Sequence, residues 1–97
     1  MTKYRNKKTM VYGILFQSEK EAMRYIVLRN DPYVRDLRLQ VRFKLVVNGI
    51  LICTYVADFT YCREHFVVED VKGVKTRDYR IKKNLMKAVY GIDILET

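Results

Sequence analysis

Strict alternation of apolar and polar residues in the middle of the chain limits its possible folds more than any other feature. Every second residue from Leu37 to Leu45 is apolar, and the residues between them are charged or polar. A period of two predicts a β-strand with one buried face. Asn48 and Gly49 follow, a pair that strongly favours a two-residue hairpin turn. Residues 50–62, ILICTYVADFTYC, are predicted to return as a strand that is apolar on both faces and therefore central in a sheet.

The segments on either side of this hairpin predict an α+β protein. Residues 18–30 have helical periodicity, and residues 66–73, FVVEDVKG, form a third predicted strand. Residues 76–91 form a second amphipathic helix, and IDIL forms a short last strand. The residues of the second helix that are predicted to face inward are Ile81, Leu85, Ala88 and Val89. The predicted order is helix, three antiparallel strands, helix and strand, around one mixed sheet.

Composition predicts one small domain with a basic surface. The 97 residues carry a formal net charge of +8, so we predict a single domain over residues 1–97, with residues 1–9 as a basic arm. This charge favours nucleic acid as the partner. Apolar runs are too short for a membrane span, and the N-terminal residues do not have the pattern of a signal peptide, which predicts a cytoplasmic protein without a membrane partner. The sequence has no glycine-rich phosphate loop, so we predict no nucleotide cofactor.

Acidic residues interrupt the two strands that follow the Asn-Gly turn. If residues 63–65, REH, form the next turn, Cys62 faces Phe66 across the ladder, and Asp58 then falls directly opposite Asp70. Directly opposed residues have Cβ atoms about 5 Å apart, and like charges there destabilise the pair. These two carboxylates therefore need a compensating group.

Alternation places Asp58, Asp70 and Lys72 on one face of the sheet, and Glu69 and Val71 on the other face. Two close carboxylates in a water-poor setting suit Mg²⁺, which takes a few oxygen ligands and keeps waters for a phosphate. Lys72 could then orient water or stabilise charge on that phosphate. A plain salt bridge between Lys72 and Asp70 is the alternative interpretation.

Glu21, in the first predicted helix, has two interpretations. Ser18 precedes it by three residues, so the segment SEKE matches a capping box in which Glu21 binds the Ser18 backbone. Glu21 also lies at the edge of the apolar stripe, where it would point toward the sheet. In that case it adds a third carboxylate to Asp58 and Asp70.

These segments resemble the PD-(D/E)XK nuclease superfamily, whose restriction-endonuclease-like core has the order αβββαβ. VADF resembles the first acidic motif, with Asp58 as its aspartate, and DVK resembles the second, with Asp70, Val71 and Lys72. Glu21 corresponds to the glutamate that the resolvase branch has in its first helix. Over nearly the whole chain, the sequence is similar to an uncharacterised phage and prophage family with segments such as KYRNKKT and VVEDVKG, related to Holliday junction resolvases and phage endonuclease I.

The resemblance implies a structure-selective DNA endonuclease, similar to a Holliday junction resolvase, that acts in phage DNA recombination or processing in the host cytoplasm. It implies that Glu21, Asp58 and Asp70, with the Val71 carbonyl, bind Mg²⁺, for which Mn²⁺ can substitute. Lys72 would position the attacking water. Branched or junction DNA is the implied substrate, and a homodimer would most simply supply the two cuts that a junction needs.

Basic residues around these motifs predict where DNA would lie. The candidate DNA-binding residues are Lys3, Arg5, Lys7, Lys8, Lys75, Arg77, Tyr79, Arg80, Lys82 and Lys83. Contacts of this kind bind phosphates without sequence specificity, and a solvated basic face is the alternative. Gln40 is either a surface residue or part of the active-site lining. A protein of another class, a non-catalytic nucleic-acid-binding module that keeps the fold, fits the same charge.

Overall fold

The computed structural model describes residues 7–97, and the described chain begins with a small hairpin. Strands β1 (Thr9–Val11) and β2 (Ile14–Phe16) pair antiparallel. Tyr12 and Gly13 between them have φ angles of 51° and 76°, the left-handed values that a two-residue hairpin turn requires. The prediction that the basic arm extends to Thr9 is therefore wrong, because Thr9 is the first residue of a strand.

The predicted α+β architecture is confirmed. The remaining elements are α1 (Glu19–Asn30), β3 (Arg35–Val47), β4 (Ile50–Arg63), β5 (His65–Asp70), α2 (Arg77–Tyr90) and β6 (Leu95–Glu96). One sheet has the strand order β3, β4, β5, β6, in which the first three strands are antiparallel and β6 runs parallel to β5. Within residues 7–97, neither helix is long and apolar enough to cross a membrane.

The predicted register of the β4–β5 hairpin is also confirmed. Cys62 pairs with Phe66, and the ladder continues to the pair Phe59 and Glu69. The turn is tighter than predicted, because Arg63 and His65 still pair and Glu64 alone, with a φ of 66°, reverses the chain. The shorter turn keeps the same opposed residues, so the two acidic positions remain aligned.

Two apolar clusters lie on opposite faces of the sheet. Helix α1 packs through Ala22 and Leu28 on one face, and helix α2 packs through Tyr79 and Met86 on the other. The neighbouring β5 residues Val67 and Val68 belong to different clusters, as alternation along a strand requires. The sheet therefore separates the two helices, and each face has its own core.

The apolar residues of strand β3 pack in both clusters. Leu37 and Leu39 pack in the α1 cluster, whereas Phe43 and Leu45 pack in the α2 cluster. Gln40 lies between these two pairs and has a φ of 52°, a left-handed conformation. From Leu37 to Leu45 every second residue is less exposed than its neighbours, so the predicted alternation and the strand assignment of β3 are both confirmed. What changes along β3 is the helix that covers its apolar residues.

Helix α2 is rotated relative to the predicted inward face. Ile81 is 49% exposed and Ala88 is also exposed, whereas Tyr79 and Met86 are buried. Leu85 and Val89 are half-buried against the α2 cluster, as predicted. The Tyr79 hydroxyl donates a hydrogen bond to Glu96, so the Tyr79 ring can pack in the α2 cluster although charged residues surround it in the sequence.

Candidate active site at the end of strand β5

The acidic residues singled out in the sequence converge in one pocket. This cavity, of about 530 Å³, lies between the N-terminal end of α1 and the end of β5. Its lining includes Glu21, Asp58, Asp70 and Lys72. The structure therefore brings together all four residues predicted to be catalytic, from α1, β4, β5 and the segment that follows β5. We refer to this cavity as the acidic pocket.

Strand register brings Asp58 and Asp70 into contact. The last ladder pair is Phe59 and Glu69, and Asp58 and Asp70 come immediately beyond it. Both aspartates line the acidic pocket, and each shifts the pKa of the other. Asp58 Oδ2 also accepts a hydrogen bond of 2.8 Å from the backbone N–H of Val71, which fixes this carboxylate at the strand end.

Burial disfavours the charged form of both aspartates. Desolvation, together with the adjacent Asp58, raises the pKa of Asp70 to about 7. Desolvation likewise raises the pKa of Asp58, with Glu21 contributing in the same direction. Near neutral pH the pair can therefore retain a proton, and a bound cation would take the place of that proton.

Two side chains stabilise Asp70 from the α2 face of the sheet. The buried Tyr55 hydroxyl donates a 2.6 Å hydrogen bond to Asp70 Oδ2. Lys72 Nζ lies 3.3 Å from Asp70 Oδ1 and 4.0 Å from the centre of the Tyr79 ring. The salt bridge that formed the alternative interpretation is thus present, and Tyr79 holds the same ammonium group from the other side through a cation–π contact.

Helix α1 contributes both an acid and a cation to the pocket. Ser18 Oγ accepts a 3.1 Å hydrogen bond from the Glu21 N–H, which is the serine half of a capping box. Within the described residues, no hydrogen bond joins the Glu21 carboxylate to the Ser18 backbone, and Glu21 lies beside Asp58. Lys20 Nζ donates a 2.9 Å bond to the Lys72 carbonyl, a contact that sequence patterns did not indicate.

The chemistry of this donor set suits a hard divalent cation. Carboxylate oxygens are the ligands that Mg²⁺ prefers, and one or two of them with several waters are sufficient. No group of three His, Cys, Asp or Glu side chains in residues 7–97 is already arranged to hold a metal ion. Asp58 Oδ2 and Asp70 Oδ2 instead accept hydrogen bonds from Val71 and Tyr55. These bonds occupy one oxygen of each carboxylate, and a carboxylate has further lone pairs with which it can bind a cation.

Glu96, which the sequence did not single out, organises the basic side chains beside the pocket. Its Oε2 accepts a 2.7 Å hydrogen bond from the Tyr79 hydroxyl. Lys75 Nζ and Lys83 Nζ lie 2.9 and 3.2 Å from its carboxylate. The hydrogen bonds from Tyr79 and Lys75 hold the pKa of Glu96 at about 2. Only the position of Glu96 on β6, beside β5, creates this contact, and that position has no local sequence signal.

The predicted DNA-binding residues fall into distinct groups. Tyr79 is 5% exposed, so our prediction that it faces DNA is wrong: burying its ring completes the core and supports Lys72. The residues that do lie exposed at the surface are Lys7, Lys8, Lys75, Arg77 and Arg80. Lys82 and Lys83 are half-buried, and Lys82 lines a cavity next to Asp58 and Asp70. Lys3 and Arg5 lie outside the described residues.

Gln40 is not part of the acidic pocket. It is exposed and is not among the pocket's lining residues. The ladder pairs Leu39 with Phe59 and Val41 with Ala57, so Gln40 lies across from Asp58 on the neighbouring strand. A role for Gln40 at the active site stays a prediction.

Glu69, the remaining acid of the motif, is the centre of a buried network on the α1 face. It is 0% exposed and accepts two hydrogen bonds from Arg24, of 2.6 and 2.9 Å. Tyr61 and Thr97 donate further bonds of 2.6 and 3.0 Å. Burial alone would raise the pKa of Glu69, but these bonds outweigh burial and the pKa lies below its usual value. Glu69 points away from Asp70, as predicted, and its role is structural.

The fold and the pocket define an α+β protein with a carboxylate cluster and a lysine at the end of a sheet strand. This chain belongs to the family described as "Protein of unknown function (DUF1064)", whose family model matches residues 1–94. No match was found among the curated proteins or among the solved structures. Family membership therefore assigns no activity, and the function must be argued from the pocket.

Removing the Tyr55 hydroxyl is expected to destabilise the protein. Tyr55→Phe leaves a buried Asp70 carboxylate without its hydrogen bond, which costs about 1–2 kcal/mol. Urea denaturation at pH 8, where Asp70 is ionised, measures this loss. Tyr33→Phe is the matched control, because Tyr33 is 71% exposed and its replacement should change stability by less than about 0.5 kcal/mol. Equal effects of the two substitutions would contradict the assigned role of Tyr55.

Proposed function

We propose that this protein is a Mg²⁺-dependent DNA endonuclease that hydrolyses phosphodiester bonds. The observation that supports this proposal is the convergence of Glu21, Asp58 and Asp70 with Lys72 in one pocket. A structural salt bridge would need one acid for one lysine, whereas this pocket places three carboxyl groups together at a strand end. Such an arrangement costs stability unless a cation or substrate compensates it.

Each pocket residue has a role in the proposed reaction. Glu21, Asp58 and Asp70 would hold Mg²⁺, which when bound polarises a phosphate oxygen and lowers the pKa of water. Lys72 presents an ammonium group beside these acids, where it can orient water and stabilise negative charge on the phosphate. The Tyr79 ring and the Asp70 carboxylate hold Lys72 from two sides, and Tyr55 holds Asp70. The reacting phosphate would therefore bind beside Lys72 and Asp70 side chains that their neighbours already hold in place.

Cations beside the pocket support DNA as the substrate. Arg77 and Arg80 are exposed on α2, and Lys82 borders the acids. Phosphate contacts by such residues give strong salt dependence and little sequence preference. We propose branched or junction DNA, cut in phage recombination or processing, as the substrate, because the acidic motifs resemble those of the resolvase branch. Lys75 and Lys83 are partly neutralised by Glu96 and would contribute less.

Cleavage of a panel of DNA substrates tests the proposal. Labelled four-way junction, flap, duplex and single-stranded DNA are incubated with the protein and Mg²⁺ or Mn²⁺. Cutting of the junction or flap that requires the metal is expected, and EDTA should abolish it. If none of the substrates is cut with either metal, the proposal that the protein is a nuclease is refuted. Cutting of the flap alone would refute the junction-resolving subtype.

A non-catalytic DNA-binding module is the second candidate, because the exposed cations of α2 do not require chemistry. Such a protein would bind the same DNA panel with salt-dependent affinity and cut none of it. It would also bind equally well with and without Mg²⁺. Binding assays run on the same substrates therefore separate the two candidates directly.

Mg²⁺ is expected to stabilise the protein through the acidic pocket. For a dissociation constant near 1 mM, 10 mM Mg²⁺ adds about 1.4 kcal/mol, which raises Tm by roughly 6–10 °C in a domain of this size. Thermal unfolding with and without Mg²⁺ measures this shift. Asp58→Asn should lose it, whereas Asp93→Asn, an exposed aspartate paired with Lys87, should keep it. An equal shift in both variants would place the cation elsewhere.

A further inference from the structure

The β3–β4 hairpin extends beyond the rest of the sheet as two strands. In the described part of the chain, β4 pairs with β5 only from Phe59 to Arg63, whereas its pairing with β3 continues as far as Ile50. We refer to residues 41–57 as the β3–β4 ribbon. The prediction that residues 50–62 form a strand buried on both faces is therefore wrong at its beginning, because Ile50 lies beyond β5 and is 64% exposed.

Helix α2 covers one face of the β3–β4 ribbon and leaves the other face open. Phe43 and Tyr55 pack in the α2 cluster. The Tyr90 hydroxyl at the end of α2 donates a 2.6 Å hydrogen bond to the Lys44 carbonyl, which ties the ribbon to the helix. Arg42 and Lys44 alternate with the covered residues of β3 and are exposed. The open face therefore presents basic side chains on a backbone that is held from behind.

No acidic residue neutralises the cations of this open face. Residues 37–57 contain no Asp or Glu. Arg42 pairs across the ladder with Val56, and Lys44 pairs with Thr54, so both cations have uncharged neighbours. In the described part of the chain, which includes every Asp and Glu, neither cation forms an ion pair. Both charges are therefore available to an anionic partner.

The open face is continuous with the two aspartates of the acidic pocket. Gln40 lies across from Asp58, so Arg42 is a diagonal neighbour of Asp58, with Cα atoms about 7–8 Å apart. Val56, the ladder partner of Arg42, lines a cavity beside both aspartates. Lys44 lies four positions from Gln40, or about 14 Å along the strand. A DNA strand whose phosphodiester bond lies at the acids would therefore have Arg42 and Lys44 beside it.

We propose that the open face of the β3–β4 ribbon binds duplex DNA in its major groove, next to the bond that the acidic pocket would cut. The major groove is about 12 Å wide and admits a two-stranded β-ribbon. Helix α2 already holds the ribbon in place, which lowers the entropy lost on binding.

Charge and position together favour DNA as the occupant. Arg42 and Lys44 on a face without acids match the phosphates of a nucleic acid. An acidic protein would match the same charge, but the continuity of this face with Asp58 favours the molecule whose phosphodiester would bind there. The inference rests on the proposed function for the identity of the partner, and it adds a duplex arm beside the cut as part of the substrate.

Salt-dependent binding of a labelled DNA duplex, measured by fluorescence anisotropy in Ca²⁺, tests the inference. The double variant Arg42→Gln, Lys44→Gln should bind about tenfold or more weakly at about 0.1 M salt. The slope of log affinity against log salt should become shallower by about 1.8, because two phosphate contacts are lost. The matched control Arg29→Gln, Arg63→Gln removes the same charge from exposed residues at the end of α1 and at the opposite end of β4. Its affinity should stay within about threefold of the wild type.

An RNA duplex of the same sequence and poly-glutamate complete the test. Both are polyanions, but the major groove of A-form RNA is too deep and narrow to be read, and a polypeptide has no groove. The double variant should therefore lose affinity for the DNA duplex and keep most of its affinity for these two ligands. An equal loss for all three ligands would overturn the inference, because the face would then be a general polyanion or acidic-protein surface.

The remaining outcomes separate this inference from the nuclease proposal. A wild type that does not bind the DNA duplex, or an equal loss of DNA affinity in the double variant and its control, would overturn the inference. Weaker duplex binding by the double variant alone, with no substrate cut by the wild type, would support the ribbon surface and refute the nuclease. Metal-dependent cutting with unchanged duplex binding by the double variant would do the reverse.

Discussion

Replacing Asp70 with asparagine is expected to abolish DNA cleavage and to leave DNA binding intact. Asparagine has the same shape but cannot supply the negative charge on which cation binding depends. Loss of several kcal/mol of transition-state stabilisation corresponds to a rate lower by about 10³-fold or more. DNA affinity should change by less than about threefold, because Arg77 and Arg80, which would contact phosphates, are untouched. Single-turnover cleavage and a binding titration in Ca²⁺ measure the two effects.

The Asp70→Asn variant should remain folded, which makes its loss of activity interpretable. Burial raises the pKa of Asp70 to about 7, so a neutral amide suits this environment at least as well as a carboxylate. Asp93→Asn is the matched control, since Asp93 is exposed and pairs only with Lys87. Cleavage by Asp70→Asn at the rate of this control would refute the proposed role of the acidic pocket.

Replacing Arg24 with methionine is expected to cause the largest loss of stability among the substitutions considered. Methionine preserves much of the packing volume but leaves the fully buried Glu69 carboxylate without its cation. Breaking a buried ion pair on one side costs about 3 kcal/mol, which lowers Tm by about 12–20 °C in a domain of this size. Thermal and urea unfolding measure the loss. Arg38→Met removes an exposed pair with Asp36 and should cost less than about 1 kcal/mol.

This loss of stability should depend on pH in a defined direction. The pKa of Glu69 lies below its ordinary value of 4.5, so its interactions stabilise the wild type above about pH 4.5 and are lost as the pH falls through the folded-state pKa. Without Arg24, burial raises the pKa of Glu69, and the variant loses stability as the pH rises above about 4.5. The difference between the two proteins should therefore be largest at neutral pH. A difference that is independent of pH would contradict the assignment of the pair.

Local patterns in the sequence were sufficient for the elements and for the core of the site. Alternation and the REH turn determine which residues oppose each other, so the Asp58 and Asp70 contact could be predicted by counting along two strands. The SEKE segment placed Glu21 at a helix start, and the structure has Ser18 as the cap. In each case the relevant residues lie within one element or on either side of one turn.

Contacts between distant segments could not be predicted in this way. Arg24 looks like an outward-facing residue of α1 until Glu69, 45 positions away, is placed beneath it. Tyr79 lies between Arg77 and Arg80 in α2, and only the position of Glu96 on β6 explains how the hydroxyl of this buried residue finds a hydrogen-bond partner.

The change from the α1 cluster to the α2 cluster occurs at the same level of two paired strands, between Leu39 and Phe43 on β3 and between Phe59 and Ala57 on β4. An alternating run gives no signal for such a change.

The separation of contacts along the chain has a consequence for the order of folding. Asp58 and Asp70 meet across the single tight turn at Glu64, whereas Lys20 reaches the Lys72 carbonyl across 52 positions. Local contacts form early and distant ones late, since each must offset its loop-closure entropy. The two aspartates would therefore meet before α1 docks over the end of their strands. We expect α1 to be the last element to join and the first to detach by local unfolding, so the acidic pocket would exist only while this helix remains docked.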